Sequence, residues 1–264
     1  MPIITTMGMS MAAMAGASTT TAATTTIMAR GRMTTTTIDP AGLLKLAAWL
    51  SPSFPVGAFA YSTGLEWAVE DGLVVGREGL ATWLRTVVET GPPRQDAVLA
   101  ARAWRAVAGA DDAALVETAE LAAVLKGTAE LAQETVVQGA AYLRTVAAAW
   151  PDDRLDRVAT ALAGVEPALP VAVGAASAAH GVALAPTLRL FLHAVVANQV
   201  SAAIRLSVIG QTDGQRVTAA LEPVILAVAA AAEAAGPDDL GAATPMLDWC
   251  SMRHETQHTR LFRS

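Results

Sequence analysis

The sequence predicts an all-α protein: a single helical domain of roughly ten helices over residues 38–264, preceded by a disordered low-complexity extension over residues 1–37. Three observations predict it. Hydrophobic residues make up 53% of the chain but aromatics only 5%, so the core is built of alanine, leucine and valine, a mixture that favours tightly packed helices over sheet. Glycines and prolines fall between stretches whose apolar residues recur at helical spacing. No run of convincing length alternates with the β period, and no internal repeat is present. With 264 residues the chain can form one large core, or at most two small domains.

The elements follow in order. Asp39 is an N-cap and Pro40 the first helical residue of a stretch carrying Leu43, Leu44, Leu46, Ala47 and Leu50 on helical spacing. Pro52 and Pro55 stop it by removing backbone donors and pushing Ser51 and Phe54 towards extended geometry. Gly57 permits a turn, and Tyr61 to Glu70 resumes a helix. After Gly72 and Gly76 a helix over about 77–90 places Leu80, Trp83, Leu84, Val87 and Val88 on one face. Pro92 and Pro93 restart the chain into a helix over 94–107, ended by Gly109. Asp111 or Asp112 caps a helical pattern that runs to Trp150 with a break at Gly127. Pro151 and Asp152 open a short helix to Ala163, and residues 167–181 hold one short buried helix. A long helix follows Pro186 to about Val208, another spans 215–235, and a last one starts near Thr244 and Pro245.

The extension over residues 1–37 is dominated by Thr, Ala, Met and Ser, with no periodic apolar face. Its charges, Arg30 and Arg32, come last, whereas a secretory signal carries its positive charge first. It reads as disordered, with Met33 as an alternative start. The net charge of −6 and a pI near 5.2 argue against nucleic acid as a partner. The single cysteine, Cys250, leaves no internal disulfide framework and fits a reducing cytoplasm. The nearest membrane-span candidate, 167–188, is cut into short pieces by Pro170, Gly174, Gly181 and Pro186, so no membrane is expected as a partner.

The segment 51–66, Ser-Pro-Ser-Phe-Pro-Val-Gly-Ala-Phe-Ala-Tyr-Ser-Thr-Gly-Leu-Glu, is too apolar for an ordinary connector, and Phe54, Val56 and Phe59 are expected to pack. Within it Phe54, Pro55, Gly57, Phe59, Ser62, Gly64, Leu65 and Glu66 form a pattern that resembles the UreF family. Two further blocks agree in order. The first runs from Leu169-Pro170-Val171 and Gly181 through Asn198, Ser201 and Arg205 to Gly210, Gln211 and Leu221-Glu222-Pro223. The second closes the sequence with Met252-Arg253-His254-Glu255 and Arg260-Leu261-Phe262-Arg263-Ser264. Together the resemblance covers about Asp39 to Ser264.

The resemblance implies an all-α urease accessory protein that is not itself an enzyme. It implies a bridge between UreD (also called UreH) and the GTPase UreG, in a complex that supports lysine carbamylation and nickel insertion in apo-urease and influences when UreG hydrolyses GTP. A homodimer flanked by two UreD chains is the implied working unit. No cofactor is bound permanently, and nickel is handled in transit, passing through internal cavities. The closing segment, with Arg253, His254, Glu255, Arg260, Leu261, Phe262, Arg263 and Ser264, is assigned to partner binding. It is expected to be loosely held until UreD binds, because Leu261 and Phe262 stand among arginines, as at interface hot spots.

Chemistry-bearing patterns are few. His254-Glu255-Thr256-Gln257-His258 formally matches H-E-x-x-H, in which two histidines one helical turn apart hold zinc and the glutamate is a general base. No third ligand follows in 259–264, which makes a zinc-dependent metallopeptidase the minor alternative, beside a generic helical interaction module. Cys250, His254 and His258 also fall at i, i+4 and i+8, about 80° of a helix, and span roughly 12 Å, so only adjacent members can share an ion. Cys250 and His254 are therefore the candidates for a transient nickel contact, against the reading of an exposed partner-binding face. Asn198, Ser201 and Arg205 lie within about 60° on one helix face, opposite Arg189 and His193. A buried Arg205 needs an acceptor, with Glu66, Glu134 or carbonyls of the 210–215 turn as candidates. The sequence contains no G-x-x-x-x-G-K-S/T phosphate loop and no nucleophile elbow.

Overall fold

The computed structural model describes residues 39–264; the extension over 1–37 and the alternative start at Met33 lie outside them. Among the described residues there are eleven α-helices, two single-turn 3-10 helices and no strand. They run α1 (Pro40–Trp49), a 3-10 turn (Ala58–Ala60), α2 (Leu65–Glu70), α3 (Gly76–Thr90), α4 (Pro92–Ala108), α5 (Asp112–Val124) and α6 (Ala129–Ala149). After these come α7 (Asp153–Ala161), α8 (Leu169–Ala179), α9 (Leu184–Arg205), α10 (Gln211–Ala234), a second 3-10 turn (Pro237–Asp239) and α11 (Pro245–His254).

Local chemistry accounts for most boundaries. The Asp39 carboxylate accepts from the amides of Ala41 at 3.1 Å and Gly42 at 2.8 Å, and Pro40 needs no partner at the first helical position. The stretch 111–150 is two helices, and Thr128 caps the second by accepting from the Leu131 amide at 3.3 Å. α2 begins at Leu65 instead of Tyr61, because Thr63 and Gly64 adopt left-handed backbone with φ of 54° and 77°. α10 begins at Gln211, a full turn before the proline- and glycine-based reading placed it, since Asp213 in its first turn suits the helix N-terminus.

α8 is the axis of the bundle: every residue from Pro170 to Ala179 is buried. It lies against α4 and α6. At Gly174 a Cβ would stand 2.1 Å from the Ala100 carbonyl oxygen, so only glycine lets α4 and α8 approach this closely. α9 packs on α10 and α10 on α3, while α11 lies on α2 and touches α6. At one end of α8, Trp49, Phe54, Tyr142 and Trp150 form an aromatic cluster with ring centroids 5.3–6.5 Å apart. The apolar run 167–188 is split between α8 and α9 by Gly181, at φ 69°. α9 and α10 are long and apolar enough to cross a membrane by length and composition, yet both contribute buried faces to the bundle.

Candidate functional site

The left-handed pair Thr63 and Gly64 turns the apolar loop sharply into α2. A Cβ at Gly64 would meet the Ser251 backbone nitrogen at 3.0 Å, so glycine also admits α11 against the start of α2. This turn aims Glu66, in the first turn of α2, at the closing segment. Glu66 is buried. Its Oε1 accepts from the Leu261 amide at 2.6 Å, and its Oε2 accepts from the Phe262 amide at 2.9 Å and faces His254 Nε2 at 3.0 Å. One carboxylate thus captures two consecutive backbone N–H groups and an imidazole, all charge-assisted contacts in a water-poor setting.

His254, the last residue of α11, is fully buried. Its Nδ1 lies 2.8 Å from Glu130 Oε2, so each ring nitrogen faces a carboxylate oxygen. Glu130 Oε1 accepts from Arg260 Nη1 at 2.7 Å, which extends the row to Glu66, His254, Glu130 and Arg260. Beyond it the backbones pair: the Arg263 amide donates to the Ala60 carbonyl and the Ser62 amide to the Ser264 carbonyl, both at 2.8 Å. The Ser62 hydroxyl also donates to the Ser264 carbonyl and accepts from the Glu66 amide at 3.2 Å. Ser264 Oγ donates to Glu134 at 2.6 Å. Loss of water around the Glu134 carboxyl pushes it up to about 6, opposed by the hydrogen bond from Ser264 and by the charge of Lys126.

Arg205, at the end of α9, completes the site. Its guanidinium lies between the rings of Phe59 and Phe262, 3.6 and 4.1 Å from their centroids, and Nη2 donates to the Phe59 carbonyl at 2.6 Å. Neither Glu66 nor Glu134 nor the 210–215 turn is its acceptor, which corrects the sequence-based expectation: the arginine follows the apolar loop, whose carbonyl and ring are nearer. Asn198 holds the same loop by donating to the Tyr61 carbonyl at 3.3 Å.

The structure gathers Phe59, Ser62, Gly64, Glu66, Arg205, His254, Arg260, Phe262 and Ser264 from the sequence-based candidates. Phe54 and Leu65 are core residues instead, Ser201 faces a cavity, and Gly210 and Gln211 stand at the start of α10. Arg253, Glu255, Leu261 and Arg263 point outward, with Arg253 over the rings of Trp67 and Trp249 at 4.9 and 5.7 Å. Two expectations are overturned. Phe59 does not pack as a core ring but is 65% exposed, because the loop turns it onto Arg205 at the surface. The closing segment is not loose: Phe262 and Ser264 are buried, since backbone pairing and Glu66 tie them down.

The metal patterns also change. α11 ends at His254, so His258 is off the helix and exposed, and the H-E-x-x-H residues do not present two histidines on one helical face. The row Cys250, His254 and His258 is broken at the same point. Cys250 is fully buried and its thiol is pushed up to about 11 by burial, with the Asp71 charge adding to it, so it is protonated at neutral pH. Both nitrogens of His254 already have carboxylate partners. Among the described residues no three His, Cys, Asp or Glu side chains gather as a metal site. Sequence reasoning missed Glu130, and also Thr63 and Gln199, where Gln199 Nε2 donates to Thr63 Oγ1 at 3.0 Å; for Glu130 the signal was its place one turn before Glu134 on α6.

Comparison with known proteins gives one consistent family. A family model described as UreF matches residues 74–222. The urease accessory protein UreF of Rhodopseudomonas palustris (strain BisB5) is 54% identical over 224 residues, covering 85% of this chain and 92% of its own. That of Xanthobacter autotrophicus (strain ATCC BAA-1158 / Py2) is 54% identical over 225 residues, covering 85% and 92%. That of Agrobacterium fabrum (strain C58 / ATCC 33970) is 51% identical over 224 residues, covering 85% and 97%. All three are named as accessory to an enzyme.

Proposed function

Because the chain belongs to the UreF family of urease accessory proteins, we propose that it works in the cytoplasm as the bridging chaperone of urease maturation. In this reading a homodimer of the chain joins UreD (UreH) to the GTPase UreG, supports nickel insertion into apo-urease, and regulates GTP hydrolysis by UreG. The observation that carries the reading is the docked closing segment. His254, Arg260, Phe262 and Ser264 are spent on anchoring, which leaves Arg253, Glu255, Leu261 and Arg263 exposed, as is the Phe59 ring. Exposed Leu261 and Phe59, with the exposed arginines Arg253 and Arg263, on a fixed scaffold suit a partner with an acidic, partly apolar surface.

UreD is assigned to this face, and UreG recruitment follows from UreD binding. Nickel, the cargo, is handled by the assembled complex; a direct contact at Cys250 and His254 would require the two carboxylates to release the imidazole first. The experiment is co-purification of the full chain with UreD and UreG. Leu261→Asp with Arg263→Glu changes only exposed side chains, so the fold should stay within about 0.5 kcal/mol of wild type. The double variant should lose UreD and UreG and fail to activate urease, while His258→Ala behaves as wild type. Co-purification of the double variant at normal yield would remove the closing segment from the interface.

A further inference from the structure

Between α1, the apolar loop, α6 and α9 the bundle leaves a cavity of about 510 Å³. Exposed Pro52, Phe59 and His193 stand in its lining, so it opens to solvent, and apolar pockets of this size are the usual form of small-molecule sites. Most of the wall is apolar: Leu46, Leu50, Phe54, Val56, Leu190 and Val195. The charged groups on it are already engaged. Lys126 donates to both oxygens of Asp96, at 2.6 and 2.8 Å, and Glu134 accepts from Ser264, Gln138 and Thr63.

Two donors on the wall have no acceptor. Trp49 and Tyr142 stand edge to face in it, with centroids 6.5 Å apart, and each is 1% exposed. The indole N–H and the phenolic O–H have no hydrogen-bond partner among the described residues. Buried polar groups are rarely left unpaired, and each costs the protein its lost hydration. Both residues line the cavity, whereas the unpaired Nε2 of His180, whose ring centroid is 5.1 Å from that of Trp49, is not part of its wall. Carboxylates outnumber ammonium groups on the wall, Asp96 and Glu134 against Lys126, which disfavours an anion. His193, Asp96 and Glu134 do not gather as ligands of an ion.

We propose that this cavity is a binding site for a neutral, apolar small molecule carrying a hydrogen-bond acceptor, with the acceptor on Trp49 and Tyr142 and the apolar body along α1 and α9. The cavity shares the rim residue Phe59 with the outward face assigned to UreD, but its occupancy is read without any partner protein.

The probe is Nile red, a neutral dye with a carbonyl acceptor, titrated into the full chain. One dye should bind per chain, with blue-shifted emission, and should slow amide exchange over residues 190–199. Ala194→Trp and Ala197→Phe, which each fill the cavity from α9, should weaken binding at least tenfold. Leu226→Gln, on the exposed face of α10, should leave it unchanged. The anionic dye 1-anilinonaphthalene-8-sulfonate should bind at least tenfold more weakly than Nile red. Should Ala194→Trp fail to fold, Ala197→Phe and the exchange pattern carry the test. Undiminished binding to the folded filled variants, loss of binding in Leu226→Gln, or exchange protection away from α9 overturns the site. Equal binding of the anionic dye overturns the chemistry assigned to it.

Discussion

Glu66 and Phe262 stand 196 residues apart in the sequence and are joined by a 2.9 Å hydrogen bond from the Phe262 amide to the Glu66 carboxylate. The same carboxylate holds Leu261 and His254, so three separate groups depend on one side chain. Glu66→Ala leaves two amides and an imidazole without their acceptor in a buried setting. We expect it to destabilise the protein by about 3–5 kcal/mol, measured by urea denaturation. Amides 260–264 should exchange much faster than in wild type. Slow exchange there would show that Ser62 and Ser264 suffice to hold the segment.

Arg205→Ala removes the cation between Phe59 and Phe262 and the donor to the Phe59 carbonyl. The acceptor is a loop carbonyl beside an exposed ring, so a buried-ion-pair cost does not apply. The expected loss is about 1–2 kcal/mol, and Arg205→Lys should recover only part of it, because an ammonium cannot stack flat between two rings. A loss above about 4 kcal/mol would mean that the guanidinium is a core element.

The two phenylalanines of the apolar loop should separate cleanly. Phe54 packs against Tyr142 and Trp150, and Phe54→Ala should cost about 3–5 kcal/mol. Phe59→Ala should cost no more than about 1 kcal/mol, and should weaken UreD capture if the outward face is the interface. Thermal melts and co-purification distinguish the two effects.

Glu134 gives a pH signature. Its folded-state value, about 6, lies above its ordinary value, so the folded protein holds this proton more tightly than the unfolded chain does. Stability from that proton is fully present below the ordinary carboxylate range and is lost as pH rises through about 6. Glu134→Gln should therefore flatten the fall in stability between pH 4.5 and 6 by the equivalent of one proton, read from denaturation midpoints. A slope identical to wild type would show that water still reaches the carboxylate.

The helical scaffold was legible because its signals are local. Asp39 and Pro40 mark a helix start within four residues, and the apolar faces of α3 and α4 recur at helical spacing. The site was legible only in its membership. Glu66, Arg205, His254 and Phe262 were singled out, but their pairing depends on contacts across most of the chain, which no local pattern encodes. Phe59 was misread because apolar composition does not say which side of a loop faces solvent. His254 looked like half of a metal motif because the helix end that separates it from His258 has no glycine or proline to announce it.

The pairing of Ser62 with Ser264 also sets an order of events during synthesis. The two residues are 202 positions apart, and at ~5–20 residues per second a ribosome needs roughly 10–40 s to make the second after the first. α1 through α10 can be complete while Glu66 still lacks Leu261 and Phe262. A product broken off before residue 260 would carry the bundle without Leu261 and Arg263 of the outward face, so a partner that reads these two residues would engage only chains that extend past them.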